Sequence, residues 1–397
     1  MINKKLLRGC PVCGCDSGNI LHTQKFALPI ENPLPKEYNV VGCDYCGFIF
    51  ADSSATQKEY DAYYEQLSKY EDEHTASGAG IADYDIERLN QTVRAVSRFL
   101  PDKSARILDV GAANGGLLIA LRSLGYNCLV GLDPSLVCVG KMQFQGLEAK
   151  IGGIFSQPHF SERFDCILLT HVLEHIYDVR GAIRNLLPLL KDDGIIYIEV
   201  PNAALYEKYF IVPFYFFDCE HINHFDQASI RNLLGGFGGA ILEIQDKEIP
   251  TPTTRPYPAL GVFYKKDGYK GLFRVIPDFT ARESVLEHIR QSRAEEGGDR
   301  DRRLAKIKSS ATPIMVWGAG QYTQRLLAET DLGACNIVAF IDNDSNKQGR
   351  KLKGVEIYSK DILKDFEGQI IIASALHGSD ISEEMRSMGA QNPILII

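Results

Sequence analysis

The chain of 397 residues carries 43 basic and 51 acidic side chains, which gives a formal charge of −8. This length predicts two to three domains, and a hydrophobic fraction of 45% with 24% charged residues excludes disordered, collagen-like and coiled-coil chains. An acidic chain without a basic block argues against nucleic acid or an anionic membrane as the main partner. No apolar run approaches the roughly 20 residues of a membrane span, and residues 1–8 lack the apolar stretch of a signal peptide, so we expect a cytoplasmic protein.

Five of the ten cysteines lie near the start of the chain in a pattern typical of a metal site. Two Cys-x-x-Cys-Gly knuckles allow each pair of thiolates to face one ion, and the glycine permits the tight turn. Four thiolates form a closed tetrahedral set, so the sequence predicts structural zinc bound by Cys10, Cys13, Cys43 and Cys46. Cys15 could replace Cys13, and a redox pair or plain buried thiols are the alternatives. We expect the ion to supply the folding energy of this short module.

Two helices and a glycine-rich turn are predicted next. Residues 60–70 predict an amphipathic helix that buries its tyrosines, and residues 83–100 predict a helix that ends before a proline. Residues 106–122 read as a short apolar strand, a turn that contains Gly111 and Gly115, and a helix. Glycine at such a turn lets a ligand approach the backbone where a side chain would block it.

The residues around this turn indicate the kind of cofactor. The second predicted strand ends at Asp133, about 20 residues further on, where an acid can accept both hydroxyls of a ribose. A dinucleotide turn needs Gly-x-Gly-x-x-Gly to admit a pyrophosphate, whereas this chain has Asp109-x-Gly111-x-Ala113-x-Gly115. Because Asp109 would repel a phosphate and suits an ammonium group, the sequence favours S-adenosylmethionine over a dinucleotide.

Later segments continue the alternation of strands and turns. Residues 164–176 read as a strand and a turn, residues 186–191 end a helix, and residues 191–194 form a turn that leads into another strand. With these motifs, residues 59–245 resemble a class I S-adenosylmethionine-dependent methyltransferase. The resemblance implies a seven-stranded, mostly parallel sheet with helices on both faces. The candidate cofactor contacts are Tyr64, Tyr70, Asp109, Gly111, Ala112, Asn114, Gly115, Asp133, Pro134 and His171.

Four histidines near predicted strand ends are candidates for moving a proton of the methyl acceptor. His171 and His175 follow the fourth strand, and His221 and His224 follow the fifth. A neutral imidazole, with an unperturbed pKa near 6.5, suits a base at neutral pH. The alternative is that these side chains cap or brace their loops.

The order of the three predicted units adds a second resemblance. A two-knuckle zinc module, a class I methyltransferase and a small Rossmann-like domain resemble the nucleotide-sugar C-methyltransferases, which methylate the carbon beside a ketone. That family has a Glu-His pair after strand five, matched by Glu220-His221, and a histidine after strand four, matched by His175. The resemblance implies His221 as the base that forms an enolate, with Glu220 and His175 at the same site. His224 is a further catalytic candidate.

Two departures from that family keep other functions open. Asp218 stands where the family has a tyrosine, and residues 249–258 lack its His-Gly-Gly motif. An O- or N-methyltransferase acting on a sugar or another small metabolite would use the same base with simpler chemistry. Outside the enzymes, the alternative is a sugar-nucleotide-binding protein that has lost catalysis.

The last part of the chain predicts a second α/β unit. Residues 280–308 predict a charged helical run, and a strand, a turn with Gly318 and Gly320, a helix and a strand ending at Asp342 follow. This unit resembles the C-terminal domain of the sugar C-methyltransferases, which implies contact with the nucleotide end of the substrate. A structural or dimerising role and a separate dinucleotide cofactor are the alternatives, because fold alone does not fix function.

We therefore expect an α/β protein that binds S-adenosylmethionine, structural zinc and a small-molecule substrate, a nucleotide sugar, with no nucleic acid or membrane partner. Its expected segments are a zinc-binding module (1–58), a central seven-stranded Rossmann-like methyltransferase domain (59–245), a linker and helical segment (246–310) and a smaller Rossmann-like α/β domain (311–397).

Overall fold

The computed structural model describes residues 4–67, 80–266 and 273–397, which form three sheets with helices around them. Among the helices of these ranges, none is both long and apolar enough for a membrane crossing. The α-helices are Gln57–Leu67, Asp83–Phe99, Gly116–Ser123, Leu136–Phe144, Val179–Leu186, Gln227–Gly235, Thr280–Ala294, Asp299–Ser310, Gln321–Glu329 and Gly378–Ser387. The short 3-10 helices are Leu173–His175, Leu187–Leu189, Ala203–Lys208, Asp331–Ala334 and Lys360–Asp365.

The central sheet has seven strands, as the sequence predicts, and Tyr257–Lys265 is the one that runs opposite to the other six. From edge to edge the strands are Ala240–Ile249, Tyr257–Lys265, Leu190–Pro201, Phe164–Thr170, Arg106–Val110, Cys128–Asp133 and Glu148–Ile151. Side chains alternate between the two faces, so Leu108 and Val110 join one hydrophobic core and Ile107 joins the other. The carboxyl ends of the parallel strands meet at one edge, where ligands bind in such sheets.

The central sheet continues past the predicted boundary at residue 245. Ala240–Ile249 spans that boundary and pairs with Tyr257–Lys265, which in turn pairs with Leu190–Pro201. The predicted turn at residues 191–194 lies inside Leu190–Pro201, where a shift of pairing register absorbs it.

The predicted charged run at residues 280–308 is two helices rather than one. Thr280–Ala294 ends before Gly297 and Gly298, and Asp299–Ser310 begins after them. Gly297 has a φ of +70°, a left-handed conformation that a continuous helix does not contain.

The first sheet is antiparallel and includes a strand from the central part of the chain. Its strands are Lys4–Lys5, Ser17–Lys25, Glu37–Cys43, Ile49–Asp52 and Asn223–His224. One of its faces shares a hydrophobic core with the central sheet, since Cys43 and Phe50 belong to the same buried cluster as Leu108. The core of the cysteine module is therefore continuous with that of the central sheet.

The third sheet has six strands, of which five are parallel. From edge to edge they are Lys351–Leu352, Val355–Tyr358, Ile337–Ile341, Ile314–Trp317, Gln369–Ile372 and Ile394–Ile396. Its first strand, Ile314–Trp317, lies in the middle of the sheet and leads into Gln321–Glu329 through a glycine turn. This arrangement places a second strand-turn-helix unit beside the first.

Candidate active site

The four predicted zinc ligands meet in one cluster, with all four sulfur atoms within 4.8 Å of one another. The Sγ atoms of Cys10 and Cys46 are 3.6 Å apart, as are those of Cys13 and Cys43. Tetrahedral zinc with Zn–S bonds of about 2.3 Å separates its thiolates by about 3.8 Å, so the donors and their spacing suit this ion. Cys15 lies outside the cluster, and its thiol faces a backbone carbonyl.

A cavity of about 810 Å³ lies between the central sheet and the C-terminal sheet. Its walls include Gly111, after the first central strand, and Gly318, after the first C-terminal strand. His175 and His221 line it as well. A volume of this size is in the range of cofactor and substrate pockets, so this cavity is the candidate active site.

The first turn requires glycine at two positions. Gly111 has a φ of +73°, and a Cβ there would lie 2.9 Å from Val172 Cγ2. Gly115 has a φ of +80°, and a Cβ there would lie 2.7 Å from Met142 Cγ. Both positions therefore combine a left-handed backbone with a close approach that a side chain would prevent.

Two carboxyl groups lie at this turn. The backbone N–H groups of Ala113 and Ser135 donate to the two oxygens of Asp133 at 2.8 and 2.9 Å, which fixes its carboxylate at the cavity wall. Asp109 is 2% exposed, and its Oδ1 has no hydrogen-bond partner among the described residues. Burial, and then the charge of Asp133, raise the pKa of Asp109 to about 8. An unpaired buried carboxyl oxygen fits a ligand that brings a donor or a positive charge.

The other predicted cofactor contacts are placed as follows. Those that line the cavity are Tyr64, Ala112, Pro134 and His171. Asn114 is buried at 4% exposure. Tyr70 lies outside the described residues.

His171, at the end of the fourth central strand, lies between two carboxylates. Its Nδ1 is 3.0 Å from Glu174 Oε1, and its Nε2 is 3.4 Å from Glu199 Oε1. Lys247 forms an ion pair with the other oxygen of Glu199. Burial alone would lower the pKa of His171, but the two carboxylates raise it to about 9. The raised pKa favours the protonated ring, which donates from Nδ1 to Glu174 Oε1.

His175 and His221 lie side by side, with ring centroids 4.8 Å apart. His175 is 5% exposed, and its Nδ1 is 3.0 Å from the backbone carbonyl of Glu220. This contact places the proton on Nδ1 and leaves the lone pair on Nε2, the tautomer that a base or a metal ligand needs. The structure thus brings together two of the histidines that the sequence predicts.

Glu220 is fully buried and accepts hydrogen bonds from two other parts of the chain. Its oxygens accept from Tyr63 Oη at 3.3 Å, from Tyr64 Oη at 3.2 Å and from Gln321 Nε2 at 2.8 Å. The carboxylate therefore joins the first helix, the segment after the fifth strand and the C-terminal unit. Sequence reasoning missed Gln321, because nothing near it in the chain indicates a partner 101 residues away.

Asp218 forms a second contact with the C-terminal unit, an ion pair with Arg325. Its Oδ1 is 2.5 Å from Nη1 of Arg325, whose side chain is 4% exposed. Breaking such a pair by removing one partner leaves a buried charge, which costs about 3–5 kcal/mol. Asp218, which stands where the nucleotide-sugar C-methyltransferases have a tyrosine, therefore links one wall of the cavity to the other.

His224 does not reach the cavity, unlike the other three predicted histidines. It is 1% exposed, its Nδ1 is 3.2 Å from Tyr206 Oη, and its ring packs edge-on against Phe217 at 5.3 Å. Burial, and then the charge of His288, lower the pKa of His224 to about 3. The ring is a neutral part of an aromatic core.

Arg8, in the segment between Lys4–Lys5 and Ser17–Lys25, holds the loops that carry the site. Its guanidinium donates to the backbone carbonyls of Ile176, Tyr177 and Ile222 and to Asn223 Oδ1. These residues directly follow His175 and His221 in the chain, so Arg8 positions both histidines. No pattern in the sequence around Arg8 indicates this role.

The C-terminal sheet repeats the geometry of the first turn with a different charge. The backbone N–H of Ala319 donates to Asp342 Oδ2 at 2.8 Å, as that of Ala113 does to Asp133. Here Lys347 lies 3.2 Å from the same carboxylate and also lines the cavity. This end of the cavity therefore presents a cation, whereas the first turn presents carboxyl groups.

Residues 84–244, which hold the first turn and most of the central sheet, match a protein family described as a methyltransferase domain. The chain contains a methyltransferase domain. The residues of the C-terminal sheet, 310–395, match a second family, described as C2185-like, N-terminal.

Curated relatives share parts of the methyltransferase domain. A tRNA U34 carboxymethyltransferase of Campylobacter hominis is 26% identical over 107 residues, which are 25% of this chain and 38% of that protein. A ubiquinone biosynthesis O-methyltransferase of Pelagibacter ubique is 28% identical over 134 residues, which are 32% of this chain and 55% of that protein. The chain thus matches about half the length of these relatives or less.

The chain also aligns with a solved structure, that of a 1,6-didemethyltoxoflavin-N1-methyltransferase of Burkholderia thailandensis with bound 1,6-didemethyltoxoflavin and S-adenosylhomocysteine. It has a TM-score of 0.41 and 16% identity, and the alignment covers 58% of this chain and 95% of that one.

Proposed function

We propose that the chain transfers a methyl group from S-adenosylmethionine to a nucleotide-activated sugar. One observation carries this proposal: a single cavity runs from the glycine turn of the methyltransferase domain, past His175 and His221, to the glycine turn of the C-terminal sheet. The proposed donor site, two imidazoles and a second glycine turn therefore share one cavity.

The first turn fits the donor by its shape and its charge. Gly111 keeps the backbone accessible, Asp133 offers a fixed carboxylate to a ribose, and Asp109 has an unpaired buried oxygen. S-adenosylmethionine, when bound, supplies a methyl group that a nucleophile takes in line with the departing sulfide, whose sulfur keeps the electron pair. Burial raises the pKa of Asp109, and a positively charged ligand beside it would lower that pKa and favour the ionised form.

The proton of the acceptor goes to an imidazole in this proposal. His175 Nε2 carries the lone pair, and His221 lines the cavity beside it. His171 holds a positive charge that stabilises an oxyanion formed when the acceptor loses its proton. A base and a fixed cation on one wall suit both enolate formation next to a ketone and deprotonation of a hydroxyl.

The C-terminal turn supports the choice of a nucleotide sugar. Asp342 repeats the position of Asp133, and Lys347 adds a positive charge at the cavity wall. A phosphorylated ligand needs such a cation, whereas the donor site has none within its turn. We also propose that the four cysteines bind structural zinc, because a closed set of thiolates leaves no position for a substrate.

The test is a panel of nucleotide sugars, each with and without the 4-keto group, incubated with S-adenosylmethionine and analysed by mass spectrometry. We expect a product heavier by one methylene. His221→Ala and His175→Ala should each lower turnover by about 10²–10⁴-fold while calorimetry still detects donor binding. His159→Ala, at an exposed histidine outside the cavity, is the matched control and should keep full turnover.

The panel also separates the second candidate, transfer to a hydroxyl or an amine. The name of the Pelagibacter relative, an O-methyltransferase, favours that alternative. Methylation of sugars that lack the keto group would select it over C-methylation. Absence of donor binding and of any methylated product would overturn the proposed function, and binding of nucleotide sugars without turnover would instead indicate a non-catalytic binding protein.

A further inference from the structure

Three side chains at the cavity wall have the donor atoms and the spacing of a metal site that is separate from the cysteines. Glu174, His175 and His221 each bring one ligand atom, and these atoms all lie within 4.8 Å of one another. Glu174 and His175 are buried, and His221 is half-buried. One carboxylate and two imidazoles form a donor set that transition-metal cations prefer.

Two of these side chains have buried polar atoms that nothing else satisfies. His175 Nε2 and Glu174 Oε2 have no hydrogen-bond partner among the described residues. A buried acceptor without a partner costs about 1–3 kcal/mol, so two of them side by side call for an explanation. A cation that both atoms ligate would satisfy them together.

The orientation of His175 is the one that metal-binding histidines have. Its Nδ1 donates to the backbone carbonyl of Glu220 at 3.0 Å, so the lone pair lies on Nε2, which is 4.0 Å from Glu174 Oε1. A ligating histidine almost always donates its other ring N–H to a carbonyl or a carboxylate, because that bond fixes the tautomer and the ring angle.

The charges around this cluster favour a cation. The carboxyl groups of Glu174, Glu199 and Glu220 are all buried near one another, and Lys247 forms an ion pair with Glu199. Buried charges are stable only when they are compensated, which a bound cation would achieve.

We propose that Glu174, His175 and His221 bind a divalent transition-metal cation. Three protein ligands leave open positions, as in metal sites that bind a substrate. The chemical role rests on the proposed function: the cation takes an oxygen of the methyl acceptor and stabilises the negative charge on it. A coordinated imidazole cannot also accept a proton. In the chain that holds the cation, the acceptor proton therefore passes to water, and the imidazole base proposed above applies to the chain without the cation.

The test uses the full chain loaded with one equivalent of zinc, which the four cysteines take up, and Mn²⁺ as the probe, detected by the loss of the free-ion signal in electron paramagnetic resonance. We expect one Mn²⁺ per chain, with the zinc content unchanged. Glu174→Gln and His221→Ala should each weaken Mn²⁺ binding by at least about tenfold. Glu162→Gln and His159→Ala, at exposed positions outside the cavity, are the matched controls and should bind as the wild type does.

The variants differ in how far they disturb the fold. Glu174 is fully buried, so its substitution is the one that can lower thermal stability, whereas His221 is half-buried. If Glu174→Gln unfolds, Mn²⁺ binding by His221→Ala tests the proposal. Absence of Mn²⁺ binding, or binding that His221→Ala leaves unchanged, would overturn the proposal.

The cation site and the proposed function fail in different assays. Donor binding and methyl transfer without any Mn²⁺ binding would remove the cation site and leave the function intact. Mn²⁺ binding that depends on His221 in a chain that transfers no methyl group would support the cation site and overturn its chemical role together with the proposed function.

Discussion

At the scale of single residues, the charge of His171 depends on its two carboxylate neighbours. We expect Glu199→Gln to lower the pKa of His171 from about 9 toward the ordinary value of 6.5, because one of the two anions is removed. Nuclear magnetic resonance of the imidazole would measure this shift. Glu199→Gln also leaves Lys247 buried without its partner, so the free energy of unfolding of this variant should fall by about 3–5 kcal/mol.

The double variant Glu199→Gln with Lys247→Met is the control for that loss. It should recover most of the stability and keep the lowered pKa of His171. In the wild type the raised pKa stabilises the fold fully below pH 6.5, and this contribution is lost as the pH rises through about 9. Both variants should therefore lose less stability over that interval, and an unchanged alkaline profile would contradict the role of Glu199.

A second residue-scale prediction concerns Gly111. Gly111→Ala should weaken donor binding by at least about tenfold, because the new Cβ would meet Val172 at 2.9 Å on a backbone with a φ of +73°. Gly125→Ala is a matched control, since Gly125 has a φ of +92° and nothing within 4 Å of the added Cβ. Both variants should lose about 1–2 kcal/mol from left-handed strain. Calorimetry that finds equal donor affinity in both would contradict the close approach at this turn.

At the scale of elements, the first sheet and the active-site segment depend on each other. Asn223–His224 pairs with Ile49–Asp52, and Cys10 and Cys46 share a hydrophobic core with the central strands. Removing zinc with a chelator should therefore lower hydrogen-exchange protection at residues 220–224 as well as in the cysteine module. The strand Ile314–Trp317 should stay protected, and a loss confined to the knuckles would contradict this coupling.

Local sequence carries the signal for some of these elements and not for others. The first turn was predictable because Gly111, Gly115 and Asp133 lie within about 20 residues in a strand-turn-helix pattern. The helix Asp83–Phe99 agrees with its prediction to within a residue for the same reason. In contrast, the predicted end of the domain at residue 245 excluded Tyr257–Lys265, which belongs to the central sheet. This strand follows a proline-rich loop, and the two together resemble a linker in sequence.

Contacts between distant segments gave no signal in the sequence. Lys247 lies 48 residues from Glu199, and Gln321 lies 101 residues from Glu220. Their pairing follows from the strand order and from how the C-terminal unit packs on the cavity, which neither periodicity nor spacing reveals. The sequence thus indicated His175, His221 and Glu220, while the groups that fix their charge and orientation required the fold.

At the scale of the whole molecule, the C-terminal unit contacts the candidate active site through Gln321. Its Nε2 donates to Glu220 at 2.8 Å, and the backbone carbonyl of Glu220 in turn orients His175. Gln321→Glu would replace a donor with a carboxylate facing a buried carboxylate, and like charges at such a distance repel strongly. We expect methyl transfer to fall at least about tenfold while donor affinity stays unchanged, because the first turn lies in the other unit.

The matched control for this variant is Gln391→Glu, which adds the same charge at an exposed position of the C-terminal unit. It should change neither turnover nor stability. Gln321→Ala removes the hydrogen bond without adding charge, so its loss of turnover should be smaller than that of Gln321→Glu. If Gln321→Glu kept full turnover at unchanged stability, the C-terminal unit would cover the cavity without helping to orient His175. The relative losses of turnover in Gln321→Glu, Gln321→Ala and Gln391→Glu therefore distinguish these two roles.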